Sequence, residues 1–162
     1  MDRKLQHYWP ISLRVLLGIG FMVHGFPKVF SGAGHAGFAS MLQQIGVPAP
    51  GLMAWVVGIV EYFGGIALVL GLATWLVSAL LIVDMLVAMF TVHIAAGFSF
   101  LQVMGTTPEG APIFGMPGAE VNLLYLAGLL ALFVGGPGPL SVDERIKGRA
   151  LHLPWHHREV HA

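Results

Sequence analysis

The sequence predicts an all-α membrane protein, a bundle of four membrane-spanning helices. Hydrophobic residues make up 56% of the 162-residue chain and charged residues only 10%, a composition typical of integral membrane proteins. Residues 51–98 contain only Glu61, Asp84 and His93 as charged or histidine residues, over about twice the length that one helix needs to cross a bilayer. Further apolar segments lie on both sides of this region, which brings the number of predicted spans to four.

The first span is predicted over about residues 11–30. The aromatic pair and proline of residues 8–10 precede it, as expected at a membrane interface and in the first turn of a helix. A signal peptide also begins with basic residues followed by an apolar core. That core does not normally contain residues such as Arg14, His24 and Lys28, so we expect this segment to be retained as a helix.

The other spans follow from breaks in the apolar pattern. A turn near residues 71–74 contains no charged residue, so the second span (about 52–72) and the third (about 75–97) should form a tight antiparallel hairpin. The fourth span is predicted over about 119–136, between Pro-Gly and Gly-Gly-Pro-Gly-Pro. Helical spacing of apolar residues also predicts a short interfacial helix over about 35–45 in the first extracytoplasmic loop.

The distribution of Lys and Arg predicts the orientation in a cell (inner) membrane. The loops at 31–50 and 99–117 contain neither residue, whereas both tails do, which places both termini in the cytoplasm. Residues 1–145 should form one domain, followed by a polar, histidine-rich cytoplasmic tail at 146–162. The tail histidines have a helical spacing that could chelate a metal, but a proline interrupts it, so no metal site is predicted. These histidines are His152, His156, His157 and His161.

Ionisable residues inside apolar spans are costly in lipid, so they should face the bundle interior and mark a functional site. On the first span Arg14, Phe21 and Lys28 share one helical face, with His24 at its edge. On the second span, Glu61 lies in a stripe of small residues. A buried ion pair that holds two helices in register is the structural alternative to a functional role for Glu61.

On the third span, Asp84 shares a stripe with small residues and should point inward. His93 lies about 180° from it on a straight helix, so both can line one pocket only if the helix bends or unwinds toward Gly97. This facing argument disfavours His93 as a site residue. It also disfavours a haem held by His24 and His93.

Several motifs occur in order along residues 10–145. The motifs are R-x-x-x-G-x-x-F-x-x-H-G-x-x-K from Arg14, G-F-x-x-x-L-x-x-x-G-x-P from Gly37, E-x-x-G-G-x-x-L-x-x-G from Glu61, E-x-N-L-L-Y-L from Glu120 and G-P-G-x-x-S-V-D from Gly136. In the order and spacing of these motifs, the chain resembles the DoxX family of small four-helix membrane proteins.

The resemblance implies a redox role. Members of the family look like membrane subunits of quinone-linked oxidoreductases, such as the thiosulfate:quinone type, or like membrane partners of redox-defence enzymes. This sequence has no cysteine and no dinucleotide-binding fingerprint, so electrons must come from a bound redox partner or a diffusible substrate.

The leading hypothesis is therefore a membrane subunit that binds a quinone within the bundle. Glu61, His24 and Asp84 are the candidate proton donors, because quinone reduction requires protons beside an apolar slot. The predicted pocket lies in the outer half of the bundle, between the charged face of the first helix and the glycine face of the second. The candidate pocket residues are Arg14, Phe21, Lys28, Tyr62, Glu120 and Asn122.

Two alternatives remain open at this stage. The chain could be a non-catalytic anchor or scaffold for a soluble redox-defence enzyme, with structural buried charges. It could also be a small-solute or proton transporter, because membrane carboxylates and histidines build relays. The predicted partners are the lipid bilayer, a soluble or membrane redox protein and a second copy of the chain. A net charge of zero gives no indication of nucleic acid.

Overall fold

The computed structural model describes residues 7–151 of the chain. Three of its helices are long and apolar enough to cross a membrane, and a fourth apolar helix is shorter. The predicted membrane-spanning helical bundle is therefore confirmed. The histidine-rich part of the tail, residues 152–162, lies outside the described residues.

Six α-helices and one short hairpin make up the described chain. The helix α4 continues through a π-helical turn, Met89–His93, and a 3₁₀ turn, Ile94–Ala96. The elements are α1 (Trp9–Phe30), α2 (Gly32–Gln44), α3 (Pro50–Leu70), α4 (Thr74–Ala88), β1 (Val103–Thr106), β2 (Pro112–Phe114), α5 (Glu120–Gly135) and α6 (Val142–Leu151).

The predicted interfacial helix is present as α2 and begins three residues earlier than expected. Ser31 explains this start, because its hydroxyl accepts a hydrogen bond from the Gly34 N–H at 3.2 Å and caps the helix. At the other end of the bundle, α3 and α4 form the predicted tight hairpin. Gly71 and Ala73 both adopt left-handed backbone conformations in this turn, with φ of 64° and 46°.

Helices α1 and α3 run antiparallel and touch through glycine. A Cβ atom on Gly18 would lie 2.6 Å from the carbonyl oxygen of Gly65, and one on Gly25 would lie 2.5 Å from the backbone nitrogen of Tyr62. Small residues permit this approach, and close packing drives helix association where lipid replaces water. The expected pocket between these two faces is therefore absent, because the glycines bring the backbones together.

The buried core lies where α1, α3, α4 and α5 meet. Phe21, Leu68 and Leu129 are almost completely buried, and a second cluster around Met89 and Leu126 continues the core toward the connecting loops. We call the end of the bundle that carries α2 and the hairpin the loop end, and the opposite end the terminal end. The first and larger cluster occupies the terminal half, and the smaller second cluster leaves room for a cavity in the loop half.

A β-hairpin in the connection after α4 was not predicted. β1 and β2 pair antiparallel, with Val103 opposite Phe114 and a bulge next to Val103. All of its residues are exposed, so the apolar and polar positions do not alternate as they do in a half-buried strand. The one available signal was the Pro108-Glu109-Gly110 turn, in which Gly110 has φ of 84°.

We predict that Gly65→Ala lowers the free energy of unfolding by about 1–3 kcal/mol, because the new methyl group meets backbone rather than a movable side chain. Denaturant unfolding of the purified protein in detergent measures this change. Gly37→Ala in α2 is the matched control, because a Cβ atom there has nothing within 4 Å. Equal effects of the two substitutions would contradict the close helix contact.

Candidate functional site

A cavity of about 530 Å³ lies in the loop half of the bundle, within the size range of small-molecule sites. Side chains of α1, α3, α4 and α5 form its walls, and α2 covers it from the loop end. Most of the lining is apolar. The polar lining residues are His24, Lys28, Glu61, Asp84, Thr91, His93, Asn122 and Tyr125.

One wall of the cavity carries an ion pair between α1 and α3. Lys28 Nζ donates to Glu61 Oε2, and the Glu61 side chain is only 5% exposed. The Lys28 ammonium also lies 4.3 Å from the centre of the Phe38 ring of α2, a cation–π contact. Gly58 makes room for this arrangement, because a Cβ there would lie 2.9 Å from the Lys28 side chain.

Asp84 projects from α4 into the same cavity, as predicted. Its Oδ2 atom is buried and has no hydrogen-bond partner among the described residues. A buried polar atom without a partner is costly, so native structures rarely keep one unless a ligand, an ion or water meets it. Asp84 is therefore the lining group with the clearest unused capacity to bind a ligand.

His93 also lines the cavity, contrary to the prediction from a straight helix. The π-helical turn at Met89–His93 inserts backbone into α4 and changes the direction in which the following side chain points. The His93 Nδ1 atom lies 2.8 Å from the Pro117 carbonyl oxygen, to which it donates, so Nε2 remains available as an acceptor.

Asn122 and Tyr125 of α5 complete the polar lining. Asn122 is 4% exposed, and its Nδ2 atom donates to the Met85 sulfur, a weak acceptor, at 3.8 Å. The Tyr125 ring packs edge-to-face on Phe21, with the ring centres 5.2 Å apart. The sequence interpretation included Asn122 but missed Tyr125, although three-residue spacing puts both on one helix face.

Arg14 lies outside the cavity, at the terminal end, which corrects its place among the pocket residues. Its guanidinium donates to the carbonyl oxygens of Pro137 at 2.6 Å and of Val69 and Leu140 at 3.3 Å. Arg14 thus satisfies carbonyl groups at the end of α3 and in the turn after α5. It shares a helix face with Lys28, but it lies too far along the helix to reach the same site.

Tyr62 and Glu120 are also excluded from the cavity lining. Tyr62 follows Glu61, so it points about 100° away, and its ring centre lies 4.9 Å from that of Phe30 on the outer side of the α1–α3 contact. Glu120 begins α5 and accepts the Phe100 N–H at 2.9 Å, which fixes the loop before the helix. Phe21, His24, Lys28, Glu61, Asp84 and Asn122 are the predicted site residues that the cavity does bring together.

The DoxX family profile matches residues 10–94, which include α1 to α4 and most of the cavity wall. The chain belongs to the DoxX family. The chain is 33% identical to "Uncharacterized membrane protein Rv3486" of Mycobacterium tuberculosis over 143 residues, covering 86% of this chain and 82% of that protein. It is 29% identical to "Inner membrane protein YqjF" of Escherichia coli over 153 residues, covering 94% and 99%.

A third relative carries a functional name. "Putative oxidoreductase CatD" of Bacillus subtilis is 37% identical over 88 residues, covering 54% of this chain and 62% of that protein. No solved structure matches the chain. Among the residues that the structure describes, no group of three or more His, Asp or Glu side chains could hold a metal ion.

Asp143 stabilises the start of α4 at the terminal end of this DoxX protein. Its carboxylate accepts the backbone N–H groups of Ala73 and Thr74 at 2.8 and 2.9 Å, and so caps α4 from a distant part of the chain. Burial opposes ionisation, but the hydrogen bonds from Thr74 and Ala73 outweigh it and lower the pKa of Asp143. The stabilisation is therefore complete above the pKa of an unfolded aspartate and is lost as the pH falls through the lowered folded pKa.

We predict that Asp143→Ala lowers the free energy of unfolding at pH 7 by about 1 kcal/mol, the usual cost of a lost helix cap. The difference from the wild type should shrink as the pH falls below about 4, the usual pKa of aspartate. Thermal unfolding across this pH range measures it. Glu144→Ala is the control, because it removes an exposed neighbouring carboxylate and should leave stability at pH 7 unchanged. A stability difference between Asp143→Ala and the wild type that stays constant across the pH range would contradict the cap.

We predict that Glu61→Gln destabilises the bundle by about 3 kcal/mol, because it leaves the Lys28 ammonium buried without a counter-charge. Removing both charges in Lys28→Met/Glu61→Gln should restore most of this loss. Denaturant unfolding of both variants checks the pair. A double variant as unstable as Glu61→Gln would show that the ion pair does not hold α1 to α3.

Proposed function

We propose that this DoxX protein is a membrane component of a quinone-linked redox system and binds the quinone in the cavity. One observation carries the proposal: an apolar cavity of ligand size contains a buried carboxyl oxygen, on Asp84, that has no hydrogen-bond partner in the described part of the chain. Ligand sites typically combine apolar walls with a few polar groups that fix orientation.

The apolar walls suit a flat ring. Phe21, Phe38 and Tyr125 contribute aromatic surface from three different elements, and Met41, Leu42 and Met85 supply adaptable apolar contacts. The core below the cavity is closed by almost completely buried residues, so a bound ring would be shielded from the terminal end. Shielding of this kind favours reduction chemistry inside the site over side reactions with water.

The polar groups suit the proton chemistry of a quinone. Reduction of a quinone to a quinol takes up two electrons and two protons, one proton on each oxygen. Asp84, His24 and Glu61 lie on the cavity wall as candidate proton donors, and the Lys28 ammonium would stabilise negative charge on a ring oxygen. Glu61 is ionised in its pair with Lys28, so it would have to take up a proton before it could donate one. Asn122 would orient the ring through its amide.

The electrons must come from outside this chain. The sequence has no cysteine, so a thiol relay within it is excluded. We propose a soluble or membrane redox protein as the donor. The similarity to a protein named as an oxidoreductase, CatD, supports a redox role for the shared part of the fold.

We also propose that residues 1–145 form one domain with both termini in the cytoplasm. Lys and Arg are absent from residues 31–50 and 99–117, which supports an extracytoplasmic loop end. The cavity would then lie in the outer half of the membrane. The membrane localisation named for YqjF agrees with a cell (inner) membrane.

We predict that Asp84→Leu weakens quinone binding at least about tenfold without lowering protein stability, because Asp84 Oδ2 has no protein partner to lose. The measurement is equilibrium binding of a decyl-substituted benzoquinone to the full-length protein in lipid nanodiscs, beside thermal unfolding. Ser78→Ala is the matched control, since it removes an unpartnered buried hydroxyl from the same helix outside the cavity.

The wild type and Ser78→Ala should bind alike. Absence of saturable binding to the wild type would contradict the proposal and favour the anchor hypothesis. Equal binding by Asp84→Leu would exclude Asp84 from the site.

A further inference from the structure

The cavity opens at the loop end, where the lining residues Phe100 and Met116 are 49% and 50% exposed, and also on a lateral side of the bundle. Several residues that line it also expose much of their surface. Val87 is 53% exposed, Ile45 is 39% exposed and Thr91 is exposed as well. These residues come from α4 and from the end of α2, so the lateral opening lies between α4 and the α2–α3 side of the bundle.

Helices α3 and α4 diverge to create this opening. Near their connecting turn they touch, because a Cβ on Gly64 would lie 3.5 Å from Val77 and 3.6 Å from Leu81. Two helical turns from Gly64, the same face of α3 carries Val57, which lines the cavity instead. Across the gap, Val87 and Thr91 of α4 line the cavity as well.

The opening faces the lipid rather than water. On α4 the side chains beside it are apolar and more than half exposed, with Phe90 at 62% and Ile94 at 52%. This segment is part of a candidate membrane span, Thr74–Ala96. Thr91 fits that environment, because its hydroxyl donates to the Val87 carbonyl oxygen of its own helix at 2.7 Å.

The seam between α1 and α3, in contrast, is closed. Backbone contact at Gly18, Gly25 and Gly65 leaves no space for a ligand to pass. The shallow groove on the outer side of this contact, next to Tyr62, does not share a lining residue with the cavity. Of these two seams, the gap between α3 and α4 is thus the one that is open to the hydrocarbon.

We infer that the gap between α3 and α4 is a lateral portal through which the cavity takes a lipid-dissolved ligand. The polar head of this ligand lies against Asp84, and its apolar tail passes between Val57 and Thr91 into the bilayer. The inference rests on the proposed function and specifies its substrate class, a quinone with a long apolar tail. A tail in the portal would cover apolar side chains that otherwise border an open cavity.

The test compares two quinones on the full-length protein in nanodiscs: the decyl-substituted benzoquinone and a tail-less benzoquinone with the same ring. Thr91→Trp places a large side chain in the portal and should weaken binding of the tailed quinone at least tenfold, while binding of the tail-less quinone changes less than twofold. Val83→Trp is the matched control, because Val83 is exposed on the same helix but does not line the cavity. It should leave both affinities unchanged.

A second measurement uses a quinone with a photoreactive group at the end of its tail. Labelling should fall on the portal segments, around residues 57 and 87–91, and on lipid, and it should be removed by unlabelled decyl-quinone. Three outcomes would overturn the portal while leaving quinone binding intact. In the first, Thr91→Trp weakens binding of the tailed and the tail-less quinone equally. In the second, Thr91→Trp and Val83→Trp have equal effects, and in the third, labelling is confined to α1 and α5. Failure of the wild type to bind either quinone would overturn the proposed function and the portal with it.

Discussion

Gly18 and Gly65 let α1 and α3 approach until their backbones touch, and the positions of the cavity groups follow from this contact. The contact fixes the antiparallel register in which Lys28 meets Glu61. It also seals the seam between the two helices, so the space inside the bundle must lie on their other side, toward α4 and α5. Close packing replaces the hydrophobic effect as the source of helix association in lipid, and small residues are how a sequence achieves it.

The charged and polar groups of the bundle divide into those with protein partners and those without. Arg14, Glu120 and Asp143 each bind backbone groups, and their contacts hold helix ends and loops in place. Lys28 and Glu61 satisfy each other. A polar group buried in a membrane protein is costly, and Asp84 Oδ2 has no partner among residues 7–151. Asp84 is therefore the observation that most favours a ligand in the cavity.

The family match extends over α1 to α4 and ends just after His93, so α5 lies outside it. Lys28, Glu61 and Asp84 belong to the matched part, whereas Asn122 and Tyr125 belong to the remainder. The proposed proton-handling groups thus lie in the part of the chain that defines the family. The α5 residues complete the wall, where they would shape the fit of a particular ligand.

Hydropathy and helical spacing by themselves determined the four spans, the interfacial helix and the inward direction of Glu61 and Asp84, because these depend on local composition and on the fixed rotation per residue of a helix. The tertiary structure decided which of the inward groups meet. Arg14 and Lys28 share a helix face and are already separated by about 21 Å along the helix, but only the structure shows that Arg14 binds backbone carbonyl groups while Lys28 pairs with Glu61. His93 entered the cavity through a π-helical turn, which shifts the helical phase in a way that a regular period cannot show. In the sequence, the glycines of α1 and α3 are compatible with either a ligand pocket or close helix packing. Only the distance between the two backbones in the structure shows that the helices pack closely.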